Sequence, residues 1–266
     1  MQGEDMTAQA IFITGGASGI GLAAARRFKR EGWFVGIGDI DSRGMTRAAD
    51  ELDAYAAPLD VRDRTQWKAA LDGFVAATGG RLDVLLNNAG IARYGMFEEV
   101  SPEEADLEVD INVKGVINGA YLALPHLKET AARFGASRLV NVASVAGIVG
   151  SPGLAVYSAT KFAVRGLTEA LDAEFTRHKI DVTCVMPFFV ETPILDAGSS
   201  GTNRTIRDAI GKSPVYTVEK AAEMVWQAAH GTEREYIVGK AGRQAKFAQR
   251  FMPGRLRKRL KAAMAG

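Results

Sequence analysis

The fold of this chain is decided by the stretch Thr14-Gly15-Gly16-Ala17-Ser18-Gly19-Ile20-Gly21, which joins an apolar run at 10–14 to an amphipathic stretch at 20–30. Glycine lets the backbone turn sharply and approach a ligand without a Cβ in the way. The helix that follows offers free N–H groups and the positive end of its dipole to an anion. We therefore expect this turn to bind a diphosphate through Gly15, Ser18, Gly19, Ile20 and Gly21.

Outward from this turn, short apolar runs alternate with longer amphipathic stretches. Several runs are apolar at nearly every position, which is typical of parallel strands covered on both faces. The alternation predicts a single-domain α/β fold, a doubly wound parallel sheet of about seven strands with helices on both faces. The predicted strands are 10–14, 34–38, 55–58, 84–88, 138–143, 181–186 and 236–238, and the predicted helices are 20–30, 43–52, 65–78, 102–127, 155–177 and 218–230.

Composition limits the class of protein. The 266 residues are 47% hydrophobic and 24% charged, which is ordinary for a globular domain with a substantial core. Residues 1–7 do not resemble a signal peptide and are expected to be flexible, and no apolar run approaches the ~20 residues that span a bilayer. The single Cys184 excludes an internal disulfide, and no Cys/His cluster predicts a metal site. These features favour a cytoplasmic protein.

Asp39 ends the second predicted strand, eighteen residues after Gly21. A carboxylate at this position can bind the ribose hydroxyls of an adenosine and repels a 2′-phosphate. Asp41 is a competing candidate, although it is more typical of a solvent-facing residue. Arg43 could receive a 2′-phosphate, but both aspartates oppose this. The turn and the carboxylate together predict NAD as the cofactor, with NADP disfavoured.

Tyr157 and Lys161 lie four residues apart in a predicted helix and therefore share a face, and Ser144 lies thirteen residues before the tyrosine. A nearby cation favours the phenolate and lowers the pKa of a phenol from its usual value of ~10. Such a tyrosine can exchange a proton with an alcohol or a ketone. Beside a hydride carrier, this pair predicts alcohol–carbonyl redox chemistry.

Taken together, the motifs resemble the compact branch of the short-chain dehydrogenase/reductase family, which has a Rossmann-type fold. The resemblance runs from about residue 8 to 238. The matching positions are the turn at 14–21, Asp60-Val61, Asn87-Asn88-Ala89-Gly90, Asn112, Ser144, and Tyr157 with Lys161.

The resemblance implies a role for each matching residue at the cofactor. Asp60 holds the adenine amino group with the Val61 backbone beside it, and Asn88 and Gly90 line the ribose. At the far end, Pro187, Val190 and Thr192 lie at the nicotinamide, the last two at its carboxamide.

The resemblance also implies the catalytic roles. Tyr157 is the general acid/base, and Lys161 binds the nicotinamide ribose and lowers the pKa of the tyrosine. Ser144 donates a hydrogen bond to the substrate oxygen. Asn112 holds a water in a proton relay that runs through Lys161.

The chain departs from the family at Pro187-Phe188, where the family usually has Pro-Gly. Phenylalanine does not share the freedom of glycine at positive φ. We expect a narrower or more apolar pocket, with Tyr94, Met96, Val149 and Phe189 as further wall candidates. The segment 194–214 is rich in small polar residues and is expected to form a lid over the substrate.

The last 27 residues, 240–266, form an extension beyond the catalytic domain at 8–239 and carry nine Lys/Arg and no Asp/Glu. Their spacing predicts helices around Pro253-Gly254. One interpretation is a solvated or subunit-packing helix pair. The other is an amphipathic element that contacts an anionic membrane, which would make the protein membrane-peripheral. Basic charge alone is a poor indicator of nucleic-acid binding, which we do not expect.

The sequence therefore predicts an NAD-dependent oxidoreductase that interconverts a small-molecule alcohol and its ketone or aldehyde, with an apolar substrate of steroid, retinoid or hydroxyacyl type. Family members usually form homodimers or homotetramers, so we expect a homo-oligomer. One alternative is a catalytically idle NAD-binding scaffold or sensor. A nucleotide-sugar epimerase or dehydratase is a further alternative, opposed by the spacing of the turn and by the lack of a large C-terminal substrate domain.

Overall fold

Seven parallel strands form one sheet at the centre of the computed structural model, which describes residues 8–265. The expected flexible segment 1–7 lies outside the described residues. The strand order is β3-β2-β1-β4-β5-β6-β7, and every pairing is parallel. The strands are β1 Ala10–Thr14, β2 Phe34–Asp39, β3 Tyr55–Pro58, β4 Val84–Asn87, β5 Ser137–Val142, β6 Ile180–Pro187 and β7 Glu235–Val238.

The sheet is doubly wound, as the sequence predicts. The chain proceeds from β1 toward β3 in one direction and then from β4 to β7 in the other, so the order reverses between β1 and β4. Ile13 of β1 pairs with Ile37 on one side and with Leu86 of β4 on the other. At such a reversal the connections diverge and leave a crevice at the carboxyl ends of the strands.

Helices cover both faces of the sheet. Phe12 and Ile13 are successive residues of β1 and point to opposite faces, and both are fully buried in separate core clusters. Ile13 packs in the cluster that includes Phe28 of the first helix, and Phe12 packs against Trp67 and Phe74 of the third. This double burial explains why β1 is apolar at nearly every position.

The predicted helices are confirmed in position, with one interruption. The expected helix at 102–127 contains a π-helical turn at Asp110–Lys114 and extends to Phe134. Side-chain hydrogen bonds of Asn112 to the neighbouring loop accompany this turn. The helices are α1 Gly19–Lys29, α2 Ser42–Leu52, α3 Arg64–Ala77, α4 Pro102–Val109, α5 Gly115–Phe134, α6 Ala155–Phe175, α7 Ile206–Ala209, α8 Val218–His230, α9 Lys240–Phe251 and α10 Pro253–Ala265.

The basic tail forms α9 and α10, and α9 packs on the body of the domain. A Cβ built on Gly242 would lie 2.6 Å from Ile237 Cγ2 and 2.8 Å from Val145 Cγ2, so only glycine allows this approach. Lys246 forms an ion pair with Glu235 at 2.5 Å. Within residues 8–265, no helix has the length and apolar character needed to cross a membrane.

Candidate active site

A cavity of about 500 Å³ opens at the carboxyl ends of the strands, where the strand order reverses. It brings together all the predicted site residues except Gly21 and Asn112, which lie behind its wall. The predicted residues that line it are Gly15, Ser18, Gly19, Ile20, Asp39, Asp60, Val61, Asn88, Gly90, Ser144, Tyr157, Lys161, Pro187, Val190 and Thr192.

The glycine turn has the close-packed geometry that a diphosphate site requires. Gly15 and Gly19 have φ values of +66° and +54°, and a Cβ on Gly15 would lie 3.0 Å from Ala89 Cα. Ser18 is the N-cap residue of α1, and within the described chain its side chain makes no capping hydrogen bond. A Cβ on Gly21 would collide with the carbonyl oxygen of Gly15, so Gly21 lets α1 pack on the turn.

Asp39 lies at the end of β2 beside this turn. Its Oδ2 accepts a hydrogen bond from the Ala17 N–H at 3.0 Å, which ties the carboxylate to the turn. The competing Asp41 is engaged elsewhere, because it caps α2 by accepting from the Gly44 N–H at 3.0 Å. Asp39, not Asp41, lines the cavity.

Asp60 has a partner that the sequence did not reveal. Arg62 Nε donates to Asp60 Oδ1 at 2.9 Å and Arg62 Nη2 to Oδ2 at 2.5 Å, and this pairing lowers the pKa of the Asp60 carboxyl. Both residues line the cavity. The Asp60 carboxylate that is expected to contact the adenine is therefore already bound to Arg62.

Asn88 and Asn112 hold backbone in place. Asn88 Nδ2 donates to the carbonyl oxygens of Thr14 at 2.9 Å and Gly15 at 3.1 Å. Asn112 Nδ2 donates to the Ile91 carbonyl at 2.9 Å, and its Oδ1 accepts from the Ile91 N–H at 2.9 Å. These bonds fix the glycine turn and the loop after β4 relative to each other.

Gly90 separates Asn112 from Lys161. A Cβ built on Gly90 would lie 3.1 Å from Asn112 Oδ1 and 3.5 Å from Lys161 Nζ. The ammonium and the amide oxygen therefore lie near the same point beside Gly90.

Tyr157, Ser144 and Lys161 meet at one end of the cavity. Lys161 Nζ lies 5.5 Å from the centroid of the Tyr157 ring and donates to the Val142 carbonyl at 3.0 Å. Ser144 Oγ donates to the Pro187 carbonyl at 3.3 Å and accepts from the Ala146 N–H at 3.1 Å. The serine hydroxyl is thus fixed beside the tyrosine.

Burial dominates the electrostatics of this pair. It raises the pKa of Tyr157 to about 12, while a hydrogen bond with Ser144 acts in the opposite direction. Burial also lowers the pKa of Lys161 to about 8. Burial therefore opposes the expected lowering of the tyrosine pKa, because desolvation of the phenolate raises this pKa more than the hydrogen bond with Ser144 lowers it.

Phe188 and Phe189 form part of the cavity wall, with ring centroids 4.7 Å apart. Phe188 adopts a negative φ, so its backbone needs none of the freedom that glycine would provide. Tyr94 instead packs in a buried cluster with Leu154 and Ile206, which line the cavity, but does not line it itself, and Met96 and Val149 also lie outside the lining. Apolar lining residues that the sequence did not single out include Ile91, Ala92 and Leu154, whereas Ile194, Leu195 and Ile206 belong to the expected lid segment.

Metal binding has no support in the part of the chain that the structure describes. No group of three or more His, Cys, Asp or Glu side chains between residues 8 and 265 is arranged to hold an ion.

A fold built around a nucleotide crevice, with a tyrosine and a lysine at its end, defines a class of nucleotide-dependent oxidoreductases. The family model for short chain dehydrogenases matches residues 9–202. The chain belongs to the short-chain dehydrogenase/reductase family, whose members act on CH–OH groups.

Known relatives agree with this assignment. The chain is 34% identical over 232 residues to the 3-oxoacyl-[acyl-carrier-protein] reductase FabG of Thermotoga maritima, covering 85% of this chain and 92% of the relative. It is 39% identical over 186 residues to a 3-alpha-(or 20-beta)-hydroxysteroid dehydrogenase of Mycobacterium tuberculosis, covering 69% and 70%. The crystal structure of a Brucella melitensis 3-ketoacyl-(acyl-carrier-protein) reductase complexed with NADH superposes with a TM-score of 0.78 at 33% identity, covering 88% and 98%.

Proposed function

We propose that this protein is an NAD-dependent oxidoreductase that interconverts an apolar alcohol and its ketone or aldehyde. One observation carries the proposal: Ser144, Tyr157 and Lys161 line the same cavity as the glycine turn and Asp39. Proton transfer and cofactor binding therefore share one site.

The residues of the cavity fit a dinucleotide. The backbone of Gly15 to Ile20 would hold the diphosphate at the start of α1. Asp39, held by Ala17, would bind the adenosine ribose and repel a 2′-phosphate, which supports NAD over NADP. Val190 and Thr192 would hold the nicotinamide carboxamide. The Brucella relative is described with NADH, which agrees with this choice.

Tyr157 moves the hydroxyl proton of the substrate. Its phenol and the Ser144 hydroxyl bind the substrate oxygen, and the serine stabilises negative charge on that oxygen as it develops. When bound, the oxidised nicotinamide supplies the hydride acceptor and a positive charge that favours the phenolate. Lys161 binds the nicotinamide ribose, and the space that it shares with Asn112 suits a water that passes the proton onward.

The wall of the cavity supports an apolar substrate. Phe188, Phe189, Leu154 and Ile206 surround the end at which Tyr157 lies. A substrate that carries one hydroxyl on an apolar ring or chain would bury few polar groups of its own against this wall. The hydroxysteroid dehydrogenase among the relatives points in the same direction.

The decisive experiment is a screen of steroid, retinoid and 3-hydroxyacyl alcohols with NAD and with NADP, read by the absorbance of the reduced cofactor. We expect turnover with NAD and a strong preference for it over NADP. Tyr157→Phe should abolish turnover while NAD binding, measured by calorimetry, stays within about two-fold because the phenol acts on the substrate.

The same experiment separates an enzyme from an idle scaffold. A scaffold would bind NAD and turn over no alcohol, and Tyr157→Phe would change nothing. A strong preference for NADP would contradict the proposed role of Asp39 but not the proposed oxidoreduction of an alcohol at Tyr157.

The segment 194–214 supports the proposal of a substrate lid. Leu195 and Ile206 line the cavity, and Ser199 Oγ donates to the Glu99 carbonyl at 2.9 Å, which ties the segment to the loop that precedes α4. Hydrogen exchange of this segment should slow when NAD and a substrate are added. Equal exchange rates with and without them would contradict a closing lid.

For the basic extension at 240–266, a second subunit and an anionic membrane both stay proposed partners. Phe247 and Phe251 of α9 are 57% and 62% exposed, with ring centroids 4.8 Å apart, beside the basic residues of α9 and α10. A second subunit or an anionic bilayer would cover them. Co-sedimentation with phosphatidylserine vesicles, with and without residues 240–266, distinguishes these partners.

A further inference from the structure

Glu108 is a buried acid that the proposed mechanism does not use. It lies in α4, one turn before Asn112, and none of its surface is exposed. Its Oε1 accepts a hydrogen bond from the Arg93 N–H at 2.8 Å. Its Oε2 is the one buried side-chain nitrogen or oxygen within residues 8–265 that has no hydrogen-bond partner. An unpartnered buried oxygen costs stability, so its presence calls for a reason.

The surroundings of Glu108 connect it to the active site. Helix α4 packs against α6, which carries Tyr157 and Lys161. The charge of Glu108 raises the pKa of both of these groups, and the charge of Lys161 in turn favours the ionised carboxylate. The other charged groups that face it are Arg93, which also favours ionisation, and Glu104, which opposes it.

The ionisation of Glu108 falls near neutral pH. Burial is the largest influence and raises its pKa to about 7, well above the ordinary 4.5. A change of about one pH unit near neutrality therefore alters the charge of a buried carboxyl on α4, the helix that packs against the one carrying Tyr157 and Lys161.

We propose that Glu108 is a positioning residue that controls the protonation of Tyr157 and Lys161 from the buried side of the active site. As a carboxylate, Glu108 favours the protonated phenol of Tyr157 and the protonated amine of Lys161. As a neutral acid, it allows both groups to lose their protons more easily. The kinetic consequence rests on the proposed dehydrogenase function, whereas the coupling between the charges does not.

The coupling can be measured without turnover. In protein labelled with glutamate carrying ¹³C at the side-chain carboxyl, the resonance that disappears in Glu108→Gln belongs to Glu108 and should titrate at about pH 7. In Lys161→Met the midpoint should rise, on the order of one pH unit, because the facing cation is removed. Lys114→Met removes an exposed lysine of the adjacent π-helical turn and serves as the matched control.

Two outcomes of this titration would overturn the proposal: a Glu108 midpoint at the ordinary value for a glutamate, or a midpoint that is the same in Lys161→Met as in the natural protein. Should Glu108→Gln fail to fold, the Glu108 resonance is still recognised as the one glutamate that titrates near neutrality.

The kinetic test uses Glu108→Gln, which retains an oxygen for the Arg93 N–H and has nearly the same shape. Without the negative charge, the phenolate forms more easily, so alcohol oxidation should reach half of its maximum at a lower pH, by on the order of one unit. Asp106→Asn makes the same charge change on the exposed side of α4 and should leave the profile in place. Superimposed pH profiles of Glu108→Gln and the natural protein would refute the role of Glu108.

The two proposals can fail separately. If the Glu108 midpoint shifts in Lys161→Met but the protein oxidises no alcohol, this inference is supported and the proposed function is refuted.

Discussion

At the scale of single residues, the site is governed by burial more than by contacts between charges. Tyr157, Lys161 and Glu108 all have pKa values displaced by desolvation, and each displacement favours the neutral form. A charge that appears in the site, either on a bound cofactor or on one of these three groups, therefore shifts the pKa values of the others. We therefore expect each of the three groups to shift the titration of the others.

The raised pKa of Glu108 predicts a characteristic dependence of stability on pH. Between pH 4.5, its ordinary value, and about 7, the folded protein binds a proton that the unfolded chain has released. Stability contributed by this proton is present at low pH and is lost as the pH rises through about 7. Relative to the natural protein, Glu108→Gln should gain about 2–3 kcal/mol in its free energy of unfolding between pH 4 and pH 8.

Urea unfolding of both proteins at these two pH values measures this gain. Asp106→Asn is again the control, because Asp106 is exposed. A difference between Glu108→Gln and the natural protein that does not vary with pH would contradict the prediction.

Phe188 predicts a change in substrate range. Its ring contacts Phe189 and fills part of the wall, so Phe188→Gly should enlarge the substrate end of the cavity. We expect the ratio of kcat/KM values for bulky and small alcohols to change roughly ten-fold, while the affinity for NAD changes little. Phe97→Gly, which removes an aromatic side chain that is 74% exposed, should leave the ratio unchanged. An unaltered ratio in Phe188→Gly would remove Phe188 from the list of specificity determinants.

At the scale of elements, the sequence predicted regular strands and helices well because their periodicity is local. The run at 10–14 became β1 with the same ends, since every side chain there is buried. The interruption of the helix at Asp110–Lys114 was not predictable, because Asn112 bonds to Ile91, a residue distant in sequence. The position of α9 likewise depends on a residue distant in sequence, because Gly242 packs on Val145 as well as on Ile237 of β7.

The docking of α9 predicts a difference between two glycines of the tail. Gly242→Ala should lower the free energy of unfolding by about 1–3 kcal/mol, because its Cβ would enter the space of Ile237 and Val145. Gly254→Ala is the matched control, since a Cβ there meets no described atom within 4 Å and alanine favours a helix. Thermal unfolding measures both changes, and equal behaviour of the two variants would show that α9 does not depend on this close approach.

At the scale of the whole molecule, the sequence predicted which residues share the cavity but not what else they bind. Ser144 lies thirteen positions before Tyr157, yet the resemblance was enough to place them together. The pairing of Asp60 with Arg62 is a local contact outside the motifs, and the burial of Glu108 depends on packing that no motif records. The outward-facing aromatic residues were likewise not anticipated.

Two of these outward-facing residues predict the oligomeric state. Tyr121 on α5 is 69% exposed and Phe162 on α6 is 43% exposed, and a second copy of the chain would cover them. Light scattering should therefore give the mass of two or four chains. Tyr121→Lys with Phe162→Lys should shift the mass toward one chain, whereas Phe97→Lys should not. A monomer in the natural protein would contradict the prediction.

The seating of α9 has one more consequence. A Cβ on Gly242 would lie 3.9 Å from the Cβ of Phe188, so the end of the chain supports the cavity wall from outside. We therefore expect α9, which does not line the cavity, to influence selectivity through its contact with Phe188. Exchanging α9 between relatives should therefore change the preferred alcohol even when every residue that lines the cavity is kept.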